Sequence, residues 1–233
     1  MSYYFDKNTD VVSNEITTKA VIQGKLYTFK TDNNVFSKKG LDFGTRTLLE
    51  NIDLRNIKGN VLDFGCGYGP IGIFISTNTN SNVDMIDINE RALDLARKNA
   101  KINNANVNIF SSDIYSNITK KYDFIITNPP IRVGNKILHS ILFGARDYLT
   151  LDGHLIFVVN KNQGAKTLAK KMEEFYKVRI IAKNKGFFVI DCQNQLTSCW
   201  YFGKIINWWH VLFSVPIHVS KNIVYGVKQW LIQ

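Results

Sequence analysis

Apolar and polar positions alternate with period two from Lys25 to Thr31, placing Tyr27 and Phe29 on one side of an extended run and Leu26, Thr28 and Lys30 on the other. Residues 1–50 carry short runs of this kind, which predict a small β-rich N-terminal cap of hairpin or edge-strand material. From about residue 51 the texture changes. Short β-branched runs at 60–64, 82–87, 106–110, 122–127, 154–160, 177–183 and 187–191 alternate with helical stretches at 70–77, 90–102, 136–149 and 163–175. In the stretch 90–102, Asn89 is the predicted N-cap, Glu90 falls in the first turn, and Leu93, Ala96 and Ala100 share a face. Strands alternating with helices give parallel sheets through right-handed crossovers, so the pattern predicts an α/β domain over residues 51–194.

A third zone, 195–233, holds all four tryptophans (Trp200, Trp208, Trp209, Trp230), three lysines and no acid. It reads as a Trp-rich basic extension that packs on the domain or stays partly disordered, with an amphipathic, surface-seeking helix as the alternative. Its uncharged stretch Ile205–Ser220 has 16 residues, short of the ~20 a membrane span needs, and membrane contact by this tail is not expected. The start MSYYFDKNTD has no apolar segment of the secretory kind, and Cys66, Cys192 and Cys199 are too few for a disulfide framework or a Cys-rich zinc site. Both observations favour a reducing, cytoplasmic location. The 29 Lys+Arg against 19 Asp+Glu give a formal charge of +10, and +7 remains without the tail lysines. That excess directs the surface toward polyanions such as RNA or DNA.

Chemistry concentrates first at Val61–Gly72, VLDFGCGYGPIG, an apolar strand entering a glycine-rich turn and then a helix. Glycines allow positive φ and let backbone amides approach a ligand, and the helix N-terminus beyond favours negative charge. Gly67, Gly69 and Gly72 alone also satisfy the dinucleotide pattern, which keeps a nicotinamide-dependent oxidoreductase as a rival. Asp63, two residues before the first glycine, would repel a pyrophosphate but attract an ammonium group, which suits S-adenosylmethionine better than NAD. Asp87 ends the next strand, 22 residues after Gly65, where a carboxylate can accept from both ribose hydroxyls. Asp113 closes the third strand and is expected to meet the adenine amine, with Ile88 and Ile114 as apolar faces for the ring.

Over roughly residues 35–191 the sequence resembles the class I S-adenosylmethionine-dependent methyltransferases. The resemblance implies a Rossmann-like, doubly wound, mostly parallel seven-stranded sheet with an antiparallel last strand. It also implies that Asp63, Gly65, Gly67 and Gly69 surround the methionine part of the cofactor, Asp87 the ribose and Asp113 the adenine.

Chemistry concentrates again after the strand 122–127, at Asn128-Pro129-Pro130-Ile131, which uses half of the chain's four prolines at one turn. Proline removes an N–H and confines the preceding residue to extended geometry, so this loop is stiff. The Asn128 carboxamide oxygen and the Pro129 carbonyl can each accept a hydrogen bond from one planar –NH2 group. That would hold its nitrogen toward a sulfonium methyl, with no metal or covalent intermediate required. The turn is shared by enzymes that methylate amines in DNA, release-factor glutamines and ribosomal RNA guanines. The flanking segments are short for a DNA-reading domain, and the N-terminus reads as strands, unlike the helical domain of the release-factor enzymes.

Val35–Thr45 and Asn128–Lys136 are similar to the RsmC-like family of small-subunit ribosomal RNA guanine-N2 methyltransferases. That resemblance implies ribosomal RNA or the small ribosomal subunit as partner, with Phe36 and Asp42 bordering the pocket and Ile131 where relatives often carry a stacking aromatic. Lys38, Lys39 and Arg46 before the core, and Arg132 and Lys136 after the turn, could form a phosphate-holding rim. The four histidines show no metal-ligand spacing, and a protein that binds RNA or a membrane surface without catalysis is the remaining alternative.

Overall fold

A computed structural model of the 233-residue chain describes residues 12–33, 35–37, 40–130 and 134–195. Lys38, Lys39, Ile131, Arg132 and the expected tail elements lie outside these residues. The chain divides into two compact units, Met1–Gln195 and Leu196–Gln233, and the described residues fall in the first. Among them, no helix is long and apolar enough to cross a membrane.

Seven strands form one sheet: β3 (Asn60–Phe64), β4 (Asn82–Asp87), β5 (Val107–Ser111), β6 (Tyr122–Thr127), β7 (Leu149–Asn160), β8 (Tyr176–Asn184) and β9 (Phe187–Asn194). Their order is β5-β4-β3-β6-β7-β9-β8, with β9 antiparallel to both neighbours and the β5-to-β7 pairings parallel. This is the expected Rossmann-like sheet, antiparallel last strand included. The chain moves outward from β3 through β4 to β5, then crosses back to the far side of β3 as β6. That reversal opens a crevice at the carboxyl ends of β3 and β6, where ligands of open α/β sheets bind.

Helices cover both faces: α1 (Phe43–Asn51), α2 (Pro70–Ser76) and α3 (Glu90–Ile102) on one, α4 (Asn135–Gly144) and α5 (Ala165–Met172) on the other. The first face buries Leu48, Ile73, Phe74, Leu93 and Ala96; the second buries Leu138, Ile141, Leu142, Leu168 and Met172. Because β3 is covered on both faces, Val61, Leu62 and Phe64 are all buried and its apolar run is continuous. Asp63 interrupts it.

The N-terminal hairpin β1 (Ile16–Ile22) and β2 (Lys25–Thr31) turns at Gln23 and Gly24, with φ of 44° and 80°, the positive pair that matches strand twist. Tyr27 and Phe29 point into the core, as the alternation predicts. The hairpin is held by α3. Asn99 accepts from the Lys30 amide at 2.7 Å and donates to its carbonyl at 2.9 Å, while Asn103 does the same to Thr28 at 3.1 and 2.8 Å. Four helical residues rise about 6 Å and two strand residues about 6.7 Å, so one helix face can satisfy alternate peptides of β2.

Several elements differ from expectation. Phe43–Asn51 is a helix, capped by Asp42, whose Oδ1 accepts from the Gly44 and Thr45 amides at 2.9 and 3.1 Å. Gly44, Thr45 and Thr47 are weak helix formers, which hides it from the pattern. The expected helix 136–149 ends at Gly144 and continues as a 3-10 turn over Ala145–Tyr148, so β7 begins at Leu149 and not at 154. β5 runs 107–111, one residue later than read.

Candidate active site

The glycine turn grows directly out of β3. Gly65 and Gly67 take φ of 66° and 56°, and a Cβ added at either would meet nothing within 4 Å, so the space over the turn is open. Gly72 serves packing. A Cβ there would stand 2.5 Å from Met85 Cγ, so its absence lets α2 lie against β4. Gly69 caps α2, and it also faces Met85. The turn is tied down by the Cys66 amide, which donates to the Ile86 carbonyl at 2.8 Å, and by the Gly67 amide, which donates to Asp87 Oδ2 at 2.9 Å.

Both strand-end carboxylates beside the turn are buried. Asp63 Oδ2 accepts from the Gly72 amide at 2.8 Å, but its Oδ1 has no partner. Burial pushes the Asp63 carboxyl up to about 7; the nearby Asp87 charge adds to the rise and the Gly72 hydrogen bond opposes it. Asp87 Oδ1 accepts from the Asn89 amide at 2.9 Å, and burial raises this carboxyl too, against the hydrogen bonds it receives. Asp113 differs from both. The strand ends at Ser111, and Asp113 is exposed two residues beyond it, between the pocket-lining Ser112 and Ile114.

Two hollows meet at Gly65. The first, about 370 Å³ counted to its open mouth, is lined by Asp87, Ile88, Ser112, Ile114, Pro130 and Ile141 among others. The second, about 350 Å³, is lined by Phe36, Asp42, Thr45, Tyr68 and Asn128 among others. The stiff Asn-Pro-Pro turn at the end of β6 thus contributes to both, Pro130 to one and Asn128 to the other.

Asn128 is held by its amide nitrogen. Nδ2 donates to Asp42 Oδ1 at 3.2 Å and to Thr45 Oγ1 at 3.0 Å. A carboxylate can only accept, so the amide atom facing Asp42 is the nitrogen. With both amide hydrogens engaged, the group left for a ligand is the carboxamide oxygen. The site can therefore bind a hydrogen-bond donor at Asn128.

Residues 26–191 match the family described as the methyltransferase small domain. The chain belongs to that family. This methyltransferase is 39% identical over 196 residues to the uncharacterized protein YbxB of Bacillus subtilis, covering 82% of this chain and 98% of that one. It is also 34% identical over 179 residues to ribosomal RNA small subunit methyltransferase C of Aliivibrio salmonicida, covering 74% of this chain but 52% of the relative, so it spans about half the length of that enzyme. A solved structure of the Thermus thermophilus 16S rRNA N2 G1207 methyltransferase RsmC, in complex with AdoMet and guanosine, superposes with a TM-score of 0.71. At 24% identity over 79% of this chain and 52% of that one, it shares the fold.

Thr45, Tyr68, Ser112 and Ile141 line the methyltransferase's hollows without having been singled out from the sequence. Tyr68, inside the glycine motif, had a signal, since a large aromatic there must be placed somewhere. Thr45 had none along the chain. Of the expected basic rim, Lys136 is exposed in the first turn of α4, whereas Arg46 donates to the Val21 carbonyl at 2.8 Å and pairs with Glu50 at 3.8 Å. A larger hollow, about 1610 Å³ counted the same way, lies at the opposite ends of the strands among Lys58, Asp123, Thr150, His154 and Asp191. There His154 and Arg179 bond Asp191 at 2.7 and 2.8 Å, satisfying one another. It lies away from the crevice at the carboxyl ends of β3 and β6, where ligands of open α/β sheets bind, so the smaller hollows are the candidate site.

Proposed function

We propose that this chain is an S-adenosylmethionine-dependent methyltransferase acting on an exocyclic amine, guanine N2 of small-subunit ribosomal RNA. The observation that carries the reading is Asn128, whose nitrogen is taken by Asp42 and Thr45 so that its oxygen is the acceptor left to a ligand, in a hollow that Gly65 and Gly67 also line. An acceptor at that place selects a target that donates, as an –NH2 group does. The ribosomal RNA assignment is supported by the names of relatives about 34% identical and by the excess of basic residues. A ribosomal RNA substrate places the enzyme in the cytoplasm.

The residues present fit the cofactor. Asp63 Oδ1 is a buried acceptor without a partner, and Gly65 and Gly67 leave room that any Cβ would take. Asp63 would hold the ammonium group, with Gly65, Gly67 and Gly69 forming the turn around the methionine part. Asp87 would hold the ribose hydroxyls, Ile88 and Ile114 the faces of the adenine, and Asp113 its amine from the rim of the hollow. When bound, S-adenosylmethionine supplies a methyl on a positively charged sulfur, an electrophile that needs only a well-placed lone pair. Asn128 and the Pro129 carbonyl hold the amine by its hydrogens, and orientation of this kind is worth several kcal/mol, on the order of 7 in the best cases. Pro130 stiffens the turn. Phe36, which lines the second hollow, would offer an aromatic face to the target ring, and Ile131, Arg132 and Lys136, next in sequence after the turn, would contact the RNA.

Asn128→Ala tests this. The variant is expected to bind S-adenosylmethionine within twofold of wild type by calorimetry and to lose at least 100-fold in methyl transfer to an unmodified small-subunit ribosomal RNA transcript. Transfer at the wild-type rate would remove Asn128 from the chemistry.

A further inference from the structure

We propose that Asp42 and Thr45 are positioning residues that fix which way round the Asn128 amide is presented, so that helix α1 sets the polarity of the target pocket. The inference rests on the function proposed above and goes one step behind it. A carboxamide is nearly symmetric in shape. Turned over, it would offer a donor to the pocket, and an incoming –NH2 group would meet N–H against N–H. Something must forbid the reversed orientation.

Two acceptors from one helix turn do so. Asp42 Oδ1 is anchored independently of Asn128, because it already receives the Gly44 and Thr45 amides at the start of α1. It carries no hydrogen in its ionised form, so a reversed Asn128 would set a carbonyl oxygen against a carboxylate oxygen. Thr45 is buried, three residues on, and its hydroxyl takes the second amide hydrogen at 3.0 Å. Residues 42 and 45 come from a segment outside the strand–helix repeat that carries the cofactor turn, yet they reach across 86 and 83 residues of sequence to grip the turn after β6. The cap of α1 and the orientation of Asn128 share one oxygen atom.

The test is steady-state transfer from S-adenosylmethionine to an unmodified small-subunit ribosomal RNA transcript, with cofactor affinity and melting temperature measured alongside. Thr45→Val keeps the side chain's shape and the backbone amide that Asp42 caps, and removes only the acceptor. It is expected to lower kcat about 10-fold while KM for the transcript and the cofactor Kd change less than twofold, and Thr45→Ser is expected to recover most of the loss. Asn128→Asp sets a carboxylate against the Asp42 oxygen that caps α1 and should cost about 100-fold. Wild-type kcat in Thr45→Val, or in Asn128→Asp, would overturn the inference while leaving the proposed function standing. Wild-type transfer by Asn128→Ala would overturn the proposed function, and this inference with it.

Discussion

If Asp63 holds the cofactor as proposed, a carboxyl raised to about 7 by burial makes binding sensitive to acid. The Asp63 carboxyl stands at about 7 against an ordinary 3.8, so in the ligand-free protein it gains its proton within the neutral range. An ammonium group needs the ionised form. Cofactor affinity should therefore fall as the pH drops below 7, by up to about tenfold per unit, and binding at pH 6 should release a proton, which calorimetry in buffers of different ionisation enthalpy will show. For folding the sign is opposite. A pKa raised in the folded state gives stability that is fully present below about 4 and lost as the pH rises through 7. Asp63→Asn is thus expected to stabilise the ligand-free protein at pH 8 by about 1–3 kcal/mol in urea unfolding while abolishing cofactor binding. A variant less stable than wild type at pH 8 would contradict the burial argument.

At the scale of elements, the strand–helix alternation and the turn chemistry were legible because each is a pattern within a few residues. Gly65 and Gly67 show positive φ where the sequence called for it, and Asn89 caps α3 as read, accepting from the Ala92 amide at 3.2 Å. What was not legible is carried by contacts between distant segments. α1 is specified by its Asp42 cap and by packing of Leu48 and Leu49, against the low propensity of Gly44, Thr45 and Thr47. β7 reaches back to Leu149 only because it pairs there with Tyr122, past an irregularity in register that no periodicity encodes. The hold of α3 on the hairpin is of the same kind. Asn99 makes two hydrogen bonds to Lys30 and a third to the Tyr68 carbonyl at 2.8 Å, so it joins the cap to the glycine turn. Asn99→Ala is expected to cost about 3 kcal/mol in urea unfolding and to speed hydrogen exchange of the β1–β2 amides before the sheet opens. Unchanged exchange there would mean that Asn99 does not hold the hairpin.

At the scale of the whole molecule, a formal charge of +10 favours association with a polyanion such as the proposed RNA. Affinity for a small-subunit ribosomal RNA transcript should fall more than tenfold between 50 and 200 mM salt if about three phosphates are neutralised, and filter binding across that range will measure the slope. A flat salt response would argue for a partner other than RNA. The chain spans about half the length of its ribosomal RNA methyltransferase relatives, so its substrate must be established on this chain itself.

Mass spectrometry of nucleosides from an unmodified small-subunit ribosomal RNA transcript, free and assembled into the subunit, after incubation with the protein and S-adenosylmethionine, tests the account most directly. One new N2-methylguanosine in either form of the RNA is the expected result; RNA that gains no methyl group, or gains it on carbon or on a ribose oxygen, would contradict an amine held by Asn128.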